Sequence, residues 1–197
     1  MDEDYAYLLG AIRDACVYLP EYELKFVQRE VRWLTDVIKP KMQRVFGLDK
    51  LKVRMRRDRL FELKANSKKM VERLIREANV DRRPMDTPYI VKQMQLDIQL
   101  HYVAGFYDAE GDKRGDRIRF WQSWHQEGNC PPLEFIASVL ADAGIETRLY
   151  RLGRRKGKLF EFCLEISQIY QKKMFYLLIP LQHPSLVLRA PREFRRA

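Results

Sequence analysis

Two spacings of hydrophobic and polar residues alternate along this chain, and the places where one gives way to the other mark out its elements. Spans 22–30, 52–57, 60–66, 117–124, 146–152 and 158–167 alternate apolar with polar residues, the pattern of strands whose side chains point to opposite faces in turn. Lys52, Arg54 and Arg56 alternate with Val53 and Met55, so one face is basic and the other is expected to enter a core. Arg117 and Arg119 alternate in the same way with Ile118 and Phe120, and Arg148 and Tyr150 flank Leu149. Spans 31–46, 68–78, 131–143 and 169–179 have helical spacing instead, and the first and third stop at Gly47 and Gly144, as helix C-termini commonly do. A short charged turn joins the strands at 52–57 and 60–66, and Gly153 and Gly157 predict a hairpin turn between the last two strands.

Two further apolar stretches, at 7–16 and 102–111, are rich in small residues and head the two sets of elements. They lie about half the chain apart, and the order of elements after each is the same. The expectation is an α+β protein made of two pseudo-symmetric αββαββα repeats, 1–79 and 89–182. A linker at 80–88 carries Pro84 and Pro88, and a basic tail follows at 183–197, with several arginines between Arg189 and Arg196. Gly10, Ala11, Ala104 and Gly105 have little or no side chain to hold two helices apart, so the two apolar stretches are expected to pack on each other as a central helix pair.

The second stretch ends Asp108-Ala109-Glu110-Gly111. A carboxylate at a helix C-terminus meets the negative end of the helix dipole, which is unfavourable unless a cation shares the site. That is a physical reason to expect a divalent metal near Glu110.

The segment Val103-Ala104-Gly105-Phe106-Tyr107-Asp108-Ala109-Glu110-Gly111 resembles the LAGLIDADG motif of homing endonucleases, and Tyr7-Leu8-Leu9-Gly10-Ala11-Ile12-Arg13-Asp14-Ala15-Cys16 resembles a second copy. The resemblance covers nearly the whole chain and is to the single-chain, two-motif, archaeal-type members. It implies two antiparallel sheets forming a saddle over double-stranded DNA, and a monomer that cuts a specific site, encoded within an intron. It also implies Mg2+ or Mn2+ held by one acid from each motif, Asp14 and Glu110. Glu110 occupies the family's acid position. Aligned on Gly10, the first motif has Ala15 there, with Asp14 one residue early and Cys16 in place of the usual glycine. A one-residue shift on an α-helix turns a side chain by about 100°. Asp14 still reaches the metal if its helix ends a residue sooner; otherwise the first site is dead. The alternative is then a decayed protein of the same fold that binds nucleic acid without cutting it, an intron RNA maturase or a regulator with structured RNA as partner. Further candidate catalytic residues by resemblance are Gln28, Arg29, Lys113 and Gln122. Arg29 stands where the family often has lysine, and a guanidinium cannot shuttle a proton. Ser123 follows Gln122, so the cation is missing in the second half.

Charge supports a polyanionic partner: the net charge is +10 and the pI about 9.6. A membrane surface is disfavoured, because no apolar run approaches ~18 residues and the basic residues lie on strands. No signal-peptide pattern opens the chain, and a cytoplasmic location is expected. Candidate nucleic-acid contacts are Lys25, Lys52, Arg54, Arg56, Lys64, Arg117, Arg119, Arg148 and Tyr150, with Arg154, Arg155 and Lys156 in the turn. Glu62 and Glu161 fall among these strands, either to accept from cytosine amino groups or to lie outside the contact surface. Cys16, Cys130 and Cys163 have neither disulfide nor zinc spacing, and His101, His125 and His183 are isolated, so structural roles are expected of them. No Walker A sequence or nucleophile–base arrangement points to small-molecule chemistry.

Overall fold

A computed structural model of the chain describes residues 2–82, 84–112, 117–154 and 159–187, with the backbone alone at Arg154. Helix α1, Glu3–Ala11, begins at Asp2, whose carboxylate accepts from the Asp4 amide at 3.0 Å and caps the first turn. Its last turn tightens into a 3-10 turn, Ile12–Asp14, and the chain passes straight into strand β1, Ala15–Tyr18. Strand β1 was not expected from the sequence, where Ala15 and Cys16 read as the end of the helix. Strands β2 (Glu23–Gln28), β3 (Lys52–Met55) and β4 (Phe61–Asn66) complete an antiparallel sheet in the order β1-β2-β4-β3. Its register puts Ala15, Phe26, Leu63 and Val53 in one row and Cys16, Lys25, Lys64 and Lys52 in the next. Side chains alternate between faces, so the first row enters the core and the second forms a cationic face.

The helix between β2 and β3 is not regular. A π-helical segment, Trp33–Ile38, runs into α2, Lys39–Phe46, just where Pro40 enters. Proline has no N–H for the helix ladder and its ring crowds the carbonyl four residues back, so a local widening of the helix relieves the conflict. Helix α2 ends at Gly47 with φ of 64°, the left-handed cap the sequence predicts. Helix α3, Lys68–Ala78, capped by Ser67, closes the first half.

The second half has a short helix α4, Tyr89–Lys92, and then α5, Leu96–Glu110. Strands β5 (Ile118–Trp124), β6 (Arg148–Arg154) and β7 (Phe160–Ile166) form a second antiparallel sheet in the order β5-β7-β6, with α6, Pro131–Asp142, between β5 and β6. Helix α7, Ile169–Leu178, follows. Among the described residues this sheet has three strands rather than four, and Gly111 makes only an isolated bridge to Phe120. The two repeats are therefore alike without being equal. Gly153 lies inside β6, at a register shift, and not in a hairpin turn as its glycine suggests. Gly157 and Lys158 fall outside the described residues.

Helices α1 and α5 form the central pair, and their backbones touch. A Cβ on Gly10 would lie 2.6 Å from the Phe106 amide nitrogen, and one on Gly105 2.9 Å from the Tyr7 carbonyl carbon. Both helices are buried along most of their length, with Tyr7, Leu8, Tyr102, Val103 and Phe106 in the core. A continuous apolar all-round surface replaces an amphipathic stripe, because each helix has the other on one side and a further helix on another, α2 against α1 and α6 against α5.

Val80 and Met85 are buried, so the span between the halves is packed rather than slack. The first residues of the expected tail are docked as well: His183 is buried against the Trp33 ring, and Pro184–Val187 form a short helix α8 with Leu186 buried. The arginines from Arg189 to Arg196 lie outside the described residues. No helix among the described residues is long and apolar enough to cross a membrane.

Candidate active site and nucleic-acid interface

Glu110 is the last residue of α5, half-buried. The glycine after it is needed for space and not for a left-handed cap. Gly111 is extended, at φ −71° and ψ 151°, and a Cβ there would lie 2.6 Å from the Tyr107 ring. At Gly111 the chain leaves α5 and bridges to Phe120 of β5, so Glu110 lies beside that strand. Glu110 lines a cavity of about 150 Å3 with Trp121, Gln122, Ser123 and Glu161. Glu161 lines this cavity from the same sheet face that carries Arg119 and Glu165.

Asp14 ends the 3-10 turn, and α5 packs against that turn. In a 3-10 turn successive side chains are about 120° apart, so Arg13 and Asp14 point to different parts of the site. Asp14 accepts from the Gln28 side-chain amide, which brings together two expected site residues of the first half. Arg13 turns towards the other half. Its Nη2 donates to Gln122 Oε1 at 2.6 Å and to the Met85 carbonyl at 2.7 Å, and its guanidinium lies 4.5 Å from the Phe106 ring centre. Gln122 Nε2 donates in turn to the Ser123 carbonyl at 3.0 Å. Arg29 is exposed beyond the end of β2, in a cleft of about 360 Å3 shared with Gln28, Glu30, His183 and Ser185. Lys113 lies outside the described residues.

The polar faces of both sheets carry the basic residues the sequence singles out, but few of these cations stand alone. Arg54 pairs with Glu62 across β3 and β4, and Lys64 and Lys25 share Glu23. In the second sheet Glu165 is a hub: it accepts from Arg119 at 2.7 Å, Arg117 at 3.1 Å and the Tyr150 hydroxyl at 3.1 Å. Burial opposes ionisation of Glu165, yet the guanidiniums of Arg119 and Arg117 and the Tyr150 hydroxyl outweigh it and hold the carboxyl below its ordinary value. Burial, helped by bonds to Cys163 and Glu165, pushes the Tyr150 phenol up to about 12, so it remains a donor. Buried glutamates Glu23, Glu62 and Glu165 thus hold long cations in fixed positions on each face, which lowers the ordering cost of a later contact. Nothing in the strand alternation marks which acids do this; the cross-strand register does. Lys52 and Arg148 stand in the same rows. Arg56 and Arg57 line a cleft of about 610 Å3 with Arg54 and Glu62. Met55, expected in the core, is 66% exposed there, because the sheet runs past the hydrophobic layer at that end. Arg155 and Lys156 lie outside the described residues, as does the side chain of Arg154.

Asp108, two residues before Glu110, is completely buried. It accepts from the Tyr7 hydroxyl at 2.6 Å and from the backbone amides of Gln182 and His183 at 2.8 and 3.0 Å, while Trp33 Nε1 donates to the Tyr7 oxygen at 2.9 Å. Burial first, and then the Asp108 charge and hydrogen bond, push the Tyr7 phenol well above its ordinary value. The sequence offers one signal for this network, an acid inside an apolar helix, but its partners are far away in the chain.

No protein-family profile matches the chain. It is 27% identical over 190 residues to homing endonuclease I-ApeI of Aeropyrum pernix, covering 90% of this chain and 81% of that protein. It is 28% identical over 165 residues to homing endonuclease I-DmoI of Desulfurococcus mucosus, covering 77% and 76%. The crystal structure of I-DmoI in complex with DNA and Ca superposes with a TM-score of 0.68 at 25% identity, covering 94% of this chain and 96% of that one. In sequence along most of its length, and in its pair of sheets around two motif helices, the chain is similar to the single-chain homing endonucleases I-ApeI and I-DmoI and shares the LAGLIDADG fold of I-DmoI.

Proposed function

We propose that this chain is a monomeric, site-specific endonuclease that hydrolyses both strands of duplex DNA in the cytoplasm, with Mg2+ or Mn2+ held by Glu110 and Asp14. The observation that carries it is Glu110 at the end of the central helix pair, in a small cavity lined by Trp121, Ser123 and Glu161 from the polar face of a cationic sheet. The likeness in sequence to two homing endonucleases, one of them solved with DNA and Ca, supports the same reading and disfavours the maturase-like one.

The donor set suits a hard divalent ion. Two carboxylates at neighbouring helix ends leave the remaining positions for waters and phosphate oxygens, the usual arrangement for magnesium. When bound, such ions supply an activated water and stabilise charge on the leaving oxygen. The chain's own residues do the positioning. Gln28 donates to Asp14 and so sets the direction of the remaining carboxylate lone pairs. Arg29 would meet a phosphate as a fixed cation. The rows of Lys25, Lys52 and Lys64 on one sheet, and of Arg117, Arg119, Arg148 and Tyr150 on the other, would grip the duplex on either side, part to phosphates and part to base edges. Lys113, Arg154, Arg155 and Lys156 are proposed to contribute further contacts.

A pool of random-sequence duplexes incubated with the chain and Mn2+, followed by sequencing of the ends, tests this. Double-strand ends at one recurring sequence are expected. Glu110→Gln should lose the cuts, keep the binding, and lose much of the rise in melting temperature that either metal produces in wild type. Binding should weaken ~10³–10⁵-fold from 50 to 200 mM salt if ~6–10 phosphates are contacted. Specific binding with no cutting by either metal would replace the enzyme with the decayed binding protein.

A further inference from the structure

We infer that Arg13 is a positioning residue for the Glu110 half of the site: it reaches out of the first motif, across the helix pair, and sets the orientation of the Gln122 amide beside Glu110. This rests on the nuclease reading above.

Arg13 is 6% exposed, and everything around it fixes its fork. The Phe106 ring lies under the guanidinium, and the Met85 and Asp86 carbonyls, from the span that joins the halves, accept from it at 2.7 and 3.5 Å. A guanidinium has only donors and does not lose its proton in a protein. The end of the Gln122 amide that meets it must therefore be the oxygen, at every pH, and the amide cannot flip. The nitrogen is then directed to the Ser123 carbonyl, along the wall of the cavity that Glu110 shares. A charge-assisted bond of this kind is roughly twice as strong as one between neutral groups.

The same feature accounts for the odd register of the first motif. Arg13 and Asp14 are neighbours in one 3-10 turn, about 120° apart. Asp14 accepts from Gln28 of its own half, while Arg13 donates to Gln122 of the other half. The two glutamines that correspond in the two repeats are thus both oriented from the first motif, one by an acceptor and one by a donor. A buried cation where the second motif has Asp108 makes the halves chemically unequal, and the Gln122 side of the site depends on a residue from the opposite repeat.

The test uses the full chain on the duplex recovered above, each strand labelled separately. Arg13→Met should slow one strand roughly 10–100-fold, the usual effect of losing an outer partner at a metal site. The other strand should be nearly unaffected, so nicked product accumulates, and duplex affinity should not change. Gln122→Met should slow the same strand, and the double variant should be no slower than either single one. Arg13→Lys, which keeps one charged donor, should recover part of the rate, and it serves as the test variant if Arg13→Met does not fold. Equal slowing of both strands, additive effects of Arg13 and Gln122, or no recovery with lysine would overturn the inference while leaving the nuclease reading intact. Wild type that cuts neither strand would remove both.

Discussion

Gly105→Ala is the smallest change that challenges the central helix pair, and its size can be worked out from the packing. The added Cβ would press on the Tyr7 carbonyl oxygen, lie 2.9 Å from the Tyr7 carbonyl carbon and 3.1 Å from the Ala11 amide nitrogen. All of these are backbone atoms of α1, so no side-chain rotation can relieve the contact, and the helices must separate by several tenths of an ångström or more. Overpacking a tight core costs ~1–3 kcal/mol, and a site walled by backbone belongs near ~3 kcal/mol. For a chain of this length each kcal/mol lowers the melting temperature by about 2–4 °C, so a fall of roughly 6–12 °C is expected. The assay is a thermal melt followed by circular dichroism. Gly128→Ala is the control, since a Cβ there meets nothing within 4 Å, and it should melt with wild type. Because Asp14 and Glu110 sit at the ends of the two helices that are pushed apart, cleavage should fall further than the loss of folded protein explains. If Gly105→Ala melts within a degree or so of wild type, the helix backbones are not in contact as described.

Two further outcomes follow from buried acids. The Glu165 carboxyl is held below its ordinary 4.5 in the folded chain, so the unfolded chain takes up its proton first. Its contribution to stability is whole above about pH 4.5 and is lost as the pH falls below that. Urea midpoints measured from pH 7 to pH 3 should drop for wild type and drop less steeply for Glu165→Gln; parallel curves would mean that the Arg117–Arg119–Tyr150 cluster does not stabilise the charge. Asp108→Ala removes the acceptor from the Tyr7 hydroxyl and from the Gln182 and His183 amides. A loss of roughly 3–5 kcal/mol is expected, with hydrogen-exchange protection lost first at the 182–187 segment, and Asp108→Asn should restore part of it. Unchanged protection at His183 would show that Asp108 does not anchor that segment.

Much of this protein is written locally. Period-two alternation at Lys52–Val53–Arg54 and at Arg117–Ile118–Arg119–Phe120 determines which strand faces are basic, because a strand sends successive side chains to opposite sides whatever it pairs with. Gly10 and Gly105 announce a close helix pair, and Glu110 announces an acid at a helix end, since both follow from residue type and spacing alone. What only the tertiary structure decided is every relation between residues distant in the chain. Arg13 meets Gln122, Asp108 meets Gln182 and His183, and Glu165 gathers Arg117 and Tyr150. Arg13 lies in the apolar stretch 7–16, but nothing in the sequence names Gln122 as its partner. The early end of α1 was equally hidden, because a 3-10 turn and an α-helical turn differ only in whether an N–H donates to the carbonyl three or four residues back, and which one forms depends on how β1 is drawn into the sheet beside β2. Buried charges of this kind are tolerated only where several partners converge, and convergence is a property of the folded chain that no local pattern encodes.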